Sequence, residues 1–354
     1  MAKQVVGLKI GASQLAAARV ARNGSAELVQ LAREPLARGV VSGGEIREPA
    51  ELAAALRAFF KEHKLPRRGI RLGISNNRIG VRTIELVGID DPKQIANAVR
   101  FRAQEALPIP IDEALLDYQV LSEGVNGEGE PTKRVLLVVA YRDLIESYAR
   151  ACREAGLRLV GIDLEAFALL RALTPSATPQ AEGAERSALV AVAIGAERST
   201  LAVSDGFTCE FTRVLDWGGW SLTAGLAREL ELELDEAEKL KAQLSLAEGT
   251  GPVDLDPERA TKAREALRTG LQGLARELVS SLQFYQSQPD SLGIGEVVLA
   301  GGGAQLAGLA EALHSLIGVR VRVGDPLVAV GVGKKLREEP TPGFAVPIGL
   351  GMGT

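Results

Sequence analysis

The feature that most constrains this chain is a repeat. Residues 5–20 read Val-Val-Gly-Leu-Lys-Ile-Gly-Ala-Ser-Gln-Leu-Ala-Ala-Ala-Arg-Val, and residues 188–203 read Ala-Leu-Val-Ala-Val-Ala-Ile-Gly-Ala-Glu-Arg-Ser-Thr-Leu-Ala-Val. Each stretch is a strand, a tight turn through Ile-Gly-Ala and a second strand. Each also runs on to a further hairpin turn, Asn23-Gly24 in one copy and Asp205-Gly206 in the other. Asn-Gly and Asp-Gly supply the positive φ angles that two-residue hairpins need. Two such starts about half a chain apart predict a duplicated, two-lobed α/β fold.

A chain of 354 residues is long enough for two such lobes with their own cores. Aromatic residues make up only 4%, so those cores must be built from Val, Ile, Leu and Ala. The 41 basic and 45 acidic residues nearly cancel, which removes the field needed for non-specific nucleic-acid binding. No run approaches the roughly 18–20 apolar residues of a membrane span, and the start lacks the apolar core of a signal peptide. Cys152 and Cys209 are the only cysteines, too few for a disulfide framework. These features point to a cytoplasmic protein that reaches a membrane only through partners.

Between the hairpins, apolar spacing predicts a helix over 50–62, with Leu52, Leu56, Phe59 and Phe60 on one face. Strands follow at 70–75 and 78–87, then a helix over 92–107 that Pro108 and Pro110 end. Strands at 115–121 and 134–140 flank a polar loop, and a helix over 142–155 closes this strand-helix-strand-strand insertion. Strand 158–162 and helix 164–173 return to the first lobe. Residues 174–187, rich in Pro, Ala, Thr and Ser, read as a linker. The second lobe carries helices across 219–246 and 257–286, with Asp235-Glu236-Ala237-Glu238 read as a capping box. The domain organisation is therefore 1–76 with 157–175 as the first lobe, 77–156 as the inserted subdomain, 188–330 as the second lobe, and 331–354 as a return to the first.

Three turns carry the chemistry. Gly11-Ala12-Ser13 and Gly195-Ala196-Glu197-Arg198-Ser199-Thr200 sit where backbone N–H groups and hydroxyls can face a phosphate. Gly301-Gly302-Gly303-Ala304 lies between a strand and a helix, where glycine admits a ligand close to the backbone. Each alone is an ordinary turn; together in a duplicated fold they outline one nucleotide cleft between two lobes. Trp217 and Trp220 flank Gly218-Gly219 and read as core packing. Gly331-Val332-Gly333-Lys334-Lys335 lacks the leading glycine and the hydroxyl of a phosphate loop.

The combination resembles the actin, heat-shock-chaperone and sugar-kinase superfamily, a duplicated ribonuclease-H-type fold. Within it the chain is similar to the PilM family of type IV pilus assembly proteins, which is related to cell-division FtsA. The resemblance rests on Gly7-Leu8-Lys9-Ile10-Gly11, on Gly39-Val40-Val41-Ser42-Gly43-Gly44-Glu45-Ile46, and on Ala106-Leu107-Pro108-Ile109-Pro110 with Leu116-Asp117-Tyr118-Gln119-Val120. It continues in Gly218-Gly219, in Ala237-Glu238-Lys239-Leu240-Lys241 and in Ala300-Gly301-Gly302-Gly303-Ala304-Gln305-Leu306. It implies an actin-like fold with an FtsA/PilM-type inserted subdomain and an ATP site. There Gly11 to Ser13 and Gly195 to Thr200 would form the phosphate loops, and Gly301 to Ala304 would approach the adenosine. Glu238 and Lys241 would reach the ribose or base, and Glu165 would position water. It also implies a scaffold at the inner face of the cytoplasmic membrane, holding the N-terminal tail of a PilN-like membrane protein beside the inserted subdomain. Contact with the pilus assembly ATPase and self-association are further expectations of the resemblance.

Two departures set this chain apart. Active relatives carry an acidic residue in each phosphate hairpin, in the pattern Asp-Ile-Gly, and here those positions hold Lys9 and Ala193. Mg²⁺ is held by carboxylate and phosphate oxygens, and phosphoryl transfer depends on charge neutralisation and positioning. The sequence therefore predicts no protein metal site and little or no hydrolysis. Lys9 is either a point charge for phosphate or a strand lysine reaching toward solvent. An active actin-like ATPase or kinase and an FtsA-like polymerising division protein stand as the alternatives. The Pro- and Gly-broken segment 342–351 argues against the amphipathic membrane helix of the latter.

Overall fold

A computed structural model describes residues 3–89, 91–106, 110–174, 186–247, 255–289, 291–332, 336 and 341–353. The expected breaker Pro108, the body of the linker (175–185) and Gly333 to Lys335 lie outside these residues.

The first lobe opens with the meander β1 (Lys3–Ile10), β2 (Gln14–Asn23) and β3 (Ser25–Pro35). A short hairpin, β4 (Val41–Ser42) and β5 (Glu45–Ile46), precedes helix α1 (Pro49–Glu62) and strand β6 (Arg68–Ile74). The inserted segment comprises β7 (Ile79–Val87), α2 (Pro92–Ala106), β8 (Ala114–Val125) and β9 (Pro131–Tyr141). Helix α3 (Arg142–Glu154), strand β10 (Arg158–Leu164) and helix α4 (Glu165–Leu173) complete the first half. The second half contains β11 (Ser187–Ile194), β12 (Ser199–Ser204), β13 (Cys209–Leu215), α5 (Gly219–Leu230), α6 (Leu234–Lys241) and α7 (Pro257–Gln286). It continues with β14 (Gly293–Ala300), α8 (Leu309–Ile317) and β15 (Val321–Val323), then returns through β16 (Gly331–Val332) and α9 (Ala345–Met352).

The duplication is visible in the sheets. One has the order β10-β6-β1-β2-β3-β16 and the other β13-β12-β11-β14-β15. In both, the opening three strands pair antiparallel, and the first strand of the meander also pairs parallel to a later one, β6 or β14. The cores are aliphatic, as the low aromatic content requires: Leu8, Leu15, Leu52, Leu56, Ile70 and Leu72 in the first lobe, Val190, Val192, Leu267, Leu274, Val297 and Leu299 in the second.

Two helices lie between the sheets. Helix α4 packs on the second sheet, α9 packs on the first, and the two pack on each other. Gly349 makes that crossing close, since a Cβ there would fall 1.8 Å from the Ala168 carbonyl oxygen. The segment that read as too broken for a membrane helix thus forms a short helix buried on all sides.

The inserted sheet, ordered β7-β9-β8, closes its own small core with Ile95, Val99 and Ala103 of α2 against Val135, Leu137 and Val139 of β9. Helix α3, which the sequence reading set within the insertion, instead contributes Leu144, Tyr148, Ala151 and Cys152 to the first lobe's core. The helical stretch 219–246 is two helices, broken at Glu231, which takes a left-handed φ of 51°. The expected capping box is a further difference. Helix α6 begins at Leu234 with Glu233 as its cap residue and no capping side chain, so Asp235 and Glu238 are free for other contacts. No helix among the described residues is long and apolar enough to cross a membrane.

Candidate functional site

Lys9 and Ala193 occupy equivalent places, each one residue from the end of its lobe's first strand. They pair with Gly73 and Ala300 on the neighbouring parallel strands. The carboxyl ends of parallel strands are where open α/β sheets leave a crevice. Here the two crevices face each other and enclose a cleft of about 550 Å³, within the usual range for small-molecule sites of roughly 300–1,000 Å³.

Gly11, Ala12 and Ser13 line this cleft from the first lobe, and Gly195, Ala196, Glu197, Arg198 and Thr200 from the second. Ser199 does not. It is buried, and its hydroxyl donates to the Trp217 carbonyl at 2.7 Å. Alternation explains the miss: on a strand, Ser199 and Thr200 must point to opposite faces. Of the glycine cluster, Gly302 alone faces open space. All three line the cleft, but Cβ atoms at Gly301 and Gly303 would strike Ile194 at 2.3 and 2.2 Å, so these two glycines also serve strand packing. Ala304 belongs to the second lobe's core and does not reach the cleft.

The charged residues expected to meet a ligand are brought into the cleft, and each already has a partner. The Lys9 ammonium donates to Glu165 Oε2 at 2.6 Å, and the Glu165 side chain is only 6% exposed. Glu165 stands at the start of α4, where the first-turn N–H groups also favour a carboxylate. Neighbouring Asp163 is bound to Arg171. Across the cleft, Lys241 Nζ donates to Glu238 Oε2 at 2.7 Å, to Thr223 Oγ1 at 2.8 Å and to the Gly219 carbonyl at 3.0 Å. Burial would raise the Glu238 carboxyl, but the hydrogen bonds from Lys241 and Thr223 prevail and hold it below the usual carboxylate range.

The second hairpin is tied across the cleft to the first lobe. Glu197 accepts from Ser42 Oγ and from the Gly43 N–H, both at 2.8 Å. Arg198 donates to the Gly43 carbonyl at 2.5 Å and pairs with Asp216 at 2.8 Å. Ser75 and Thr200 join their hydroxyls at 2.7 Å. Asn76 secures the same loop by donating to the Gly43 and Gly44 carbonyls. Tyr148, whose phenol burial pushes well up, donates to the Gly44 carbonyl from beneath.

Sequence reasoning missed the Ser42–Gly44 loop as part of the cleft, and also Arg38 and Trp220. Trp217 packs in the core as expected. It also borders the cleft, and Trp220 lines the cleft with the Arg38 guanidinium 5.2 Å over its ring. The consecutive glycines at 43 and 44 were the available signal. Both have positive φ, 62° and 67°, as the two-residue turn of the β4–β5 hairpin requires.

A second cavity, a groove of about 590 Å³, lies beside the inserted segment. Its walls are the start of β7 and the edge strand β13, with Phe284 of α7 at one side. Ile79, Val81, Phe211 and Phe284 make it apolar, and Arg78, Arg82 and Arg213 also line it, Arg78 paired with Asp143 and Arg213 with Glu277. Ser75 and Thr200 line both the groove and the cleft, so their hydrogen bond forms part of the partition between them.

Two duplicated sheets, a pair of helices buried between them and a cleft at the strand ends define an actin-like protein. MreB 5 of Spiroplasma citri bound to AMPPNP shares this fold over 98% of this chain and 94% of its own, with TM-score 0.57 at 12% identity. The chain belongs to the family of type IV pilus assembly protein PilM, whose sequence profile matches residues 7–354. The PilM component of a solved PilM-PilN type IV pilus biogenesis complex is similar at TM-score 0.79 and 29% identity, covering 98% of this chain and 97% of that one. Cell division protein FtsA of Escherichia coli K12 is 25% identical, over 98% of this chain and 89% of its own length.

Proposed function

We propose that this chain is a pilus-assembly scaffold that binds an ATP-type nucleotide between its lobes without a divalent metal, turns it over little or not at all, and holds an extended peptide from a membrane partner. The observation that carries the reading is the Lys9–Glu165 ion pair at 2.6 Å. Where active relatives would set a carboxylate, this cleft has an ammonium, and the nearest acidic side chain is already neutralised by it. The size of the cleft and its three turns suit a nucleotide; its donor set does not suit Mg²⁺, which needs oxygen ligands. Without an organised metal or a free carboxylate to position water, phosphoryl transfer loses its main sources of rate.

The partner reading rests on the groove. An extended apolar peptide with acidic residues matches two facing edge strands, apolar pockets and lining arginines, and strand addition would supply main-chain hydrogen bonds. The N-terminal tail of a PilN-like protein of the inner membrane is the candidate occupant, and it would bring the scaffold to the membrane. Contact with the assembly motor and self-association belong to the same reading without a surface assigned to them. Titrating a synthetic peptide of that tail tests the assignment. Phe284→Ser, at a half-exposed position, is expected to weaken the peptide at least tenfold while leaving the fold intact. Equal affinity of wild type and variant would place the tail elsewhere.

A further inference from the structure

The loop Ser42–Gly44 of the first lobe forms a small anion seat that is already filled. Its two donors, the Ser42 hydroxyl and the Gly43 N–H, each reach one oxygen of the Glu197 carboxylate at 2.8 Å. Gly43 and Gly44 take positive φ, as the two-residue hairpin turn between β4 and β5 requires, and the turn presents the Gly43 N–H to the carboxylate. Asn76 holds the loop in that shape from its carbonyl side. Arg198, one residue beyond Glu197, binds the Gly43 carbonyl at 2.5 Å and so lies beside the seat with a cationic group. Glu197, Arg198, Ser42 and Gly43 together join the two lobes across the cleft.

We infer that this seat is a binding site for the terminal phosphate of a polyphosphate ligand, and that Glu197 is its internal competitor. A carboxylate and a phosphate offer the same acceptor oxygens to the same donors, and both cannot occupy one seat. A ligand phosphate must therefore displace Glu197, and Arg198, bound to the Gly43 carbonyl, lies beside the same charge. Glu197 thus weakens anion binding, the opposite of what its position in a phosphate-type turn implies. The inference rests on the nucleotide reading of the cleft for its natural ligand, but the seat itself requires only a polyphosphate.

Isothermal titration of the full chain with ATP and, separately, with inorganic tripolyphosphate tests it in wild type, Glu197→Gln and Glu197→Gln/Ser42→Ala. Glu197→Gln is expected to bind both probes about tenfold more tightly, and the added Ser42→Ala to cancel most of that gain. Hydrogen exchange at the Gly43 amide should rise in unliganded Glu197→Gln, because its acceptor has lost its charge. Unchanged or weaker binding in Glu197→Gln overturns the seat even where ATP binds well. Tighter tripolyphosphate binding with no ATP binding keeps the seat and overturns the nucleotide reading. Failure of both probes in every variant overturns both.

Discussion

Lys9 and Glu165 define the molecule at the scale of single residues. The Glu165 side chain is nearly enclosed, and removal of Lys9 leaves its carboxylate without that ion-pair partner. Lys9→Met is expected to lower folding stability by about 2 kcal/mol, and Glu165→Gln in the same chain to restore most of it, both read as denaturation midpoints. A neutral Lys9→Met variant would show that the pair contributes nothing. The sequence displayed both residues, and Lys9 standing where active relatives carry a carboxylate was legible only through the family resemblance. Their pairing was not, because it depends on strand β1 and helix α4, 156 positions apart in their contact, meeting at one crevice. The same limit applies to Glu197 and Arg198: the turn is legible, the direction in which its side chains cross the cleft is not.

At the scale of elements, α9 is the instructive case. Pro and Gly in Ala345–Met352 contradict helix propensity, yet Pro347 falls in the first turn, where N–H groups lack intrahelical partners anyway. The glycines permit close contact with helix α4 at Gly349 and with strand β2 at Gly351, so packing overrides propensity. Gly349→Ala is expected to abolish soluble expression or lower stability by more than about 3 kcal/mol. Gly302→Ala, with open space around the new methyl, should fold normally by circular dichroism. The β14–β15 ladder gives a pH test. Hydrogen bonds from Arg322 at 2.8 and 2.9 Å hold Glu296 below the usual carboxylate range, outweighing burial. A carboxylate lowered on folding stabilises at pH above its unfolded value, about 4.5, and loses that contribution as pH falls through its folded value. Wild type should therefore lose stability below about pH 4.5 more steeply than Arg322→Leu. Strands, hairpins and the inserted segment were legible at this scale from alternation and turn residues. The allegiance of α3 to the first lobe was not, since amphipathic spacing gives a buried face without its partner.

At the scale of the whole molecule, the duplication sets two equivalent strand ends face to face, and the side chains there decide what the cleft does. Interlobe contacts at Glu197, Arg198 and Thr200 hold the lobes together, and the Ser75–Thr200 partition adjoins the groove proposed for the partner tail. On the proposed reading, a ligand in the cleft and a peptide in the groove would both act on this lobe arrangement. Metal-free nucleotide binding at the Lys9 end of the cleft is the property on which the proposed function depends. Its most direct test is calorimetric titration of the metal-stripped chain with ATP, once with EDTA and once with excess Mg²⁺, alongside an overnight phosphate-release assay. Equal affinity is expected in the two titrations, with clear weakening in Lys9→Ala and no phosphate release above the protein-free control. Binding that requires Mg²⁺, with steady phosphate release, would contradict the proposed function and make the chain an actin-like ATPase.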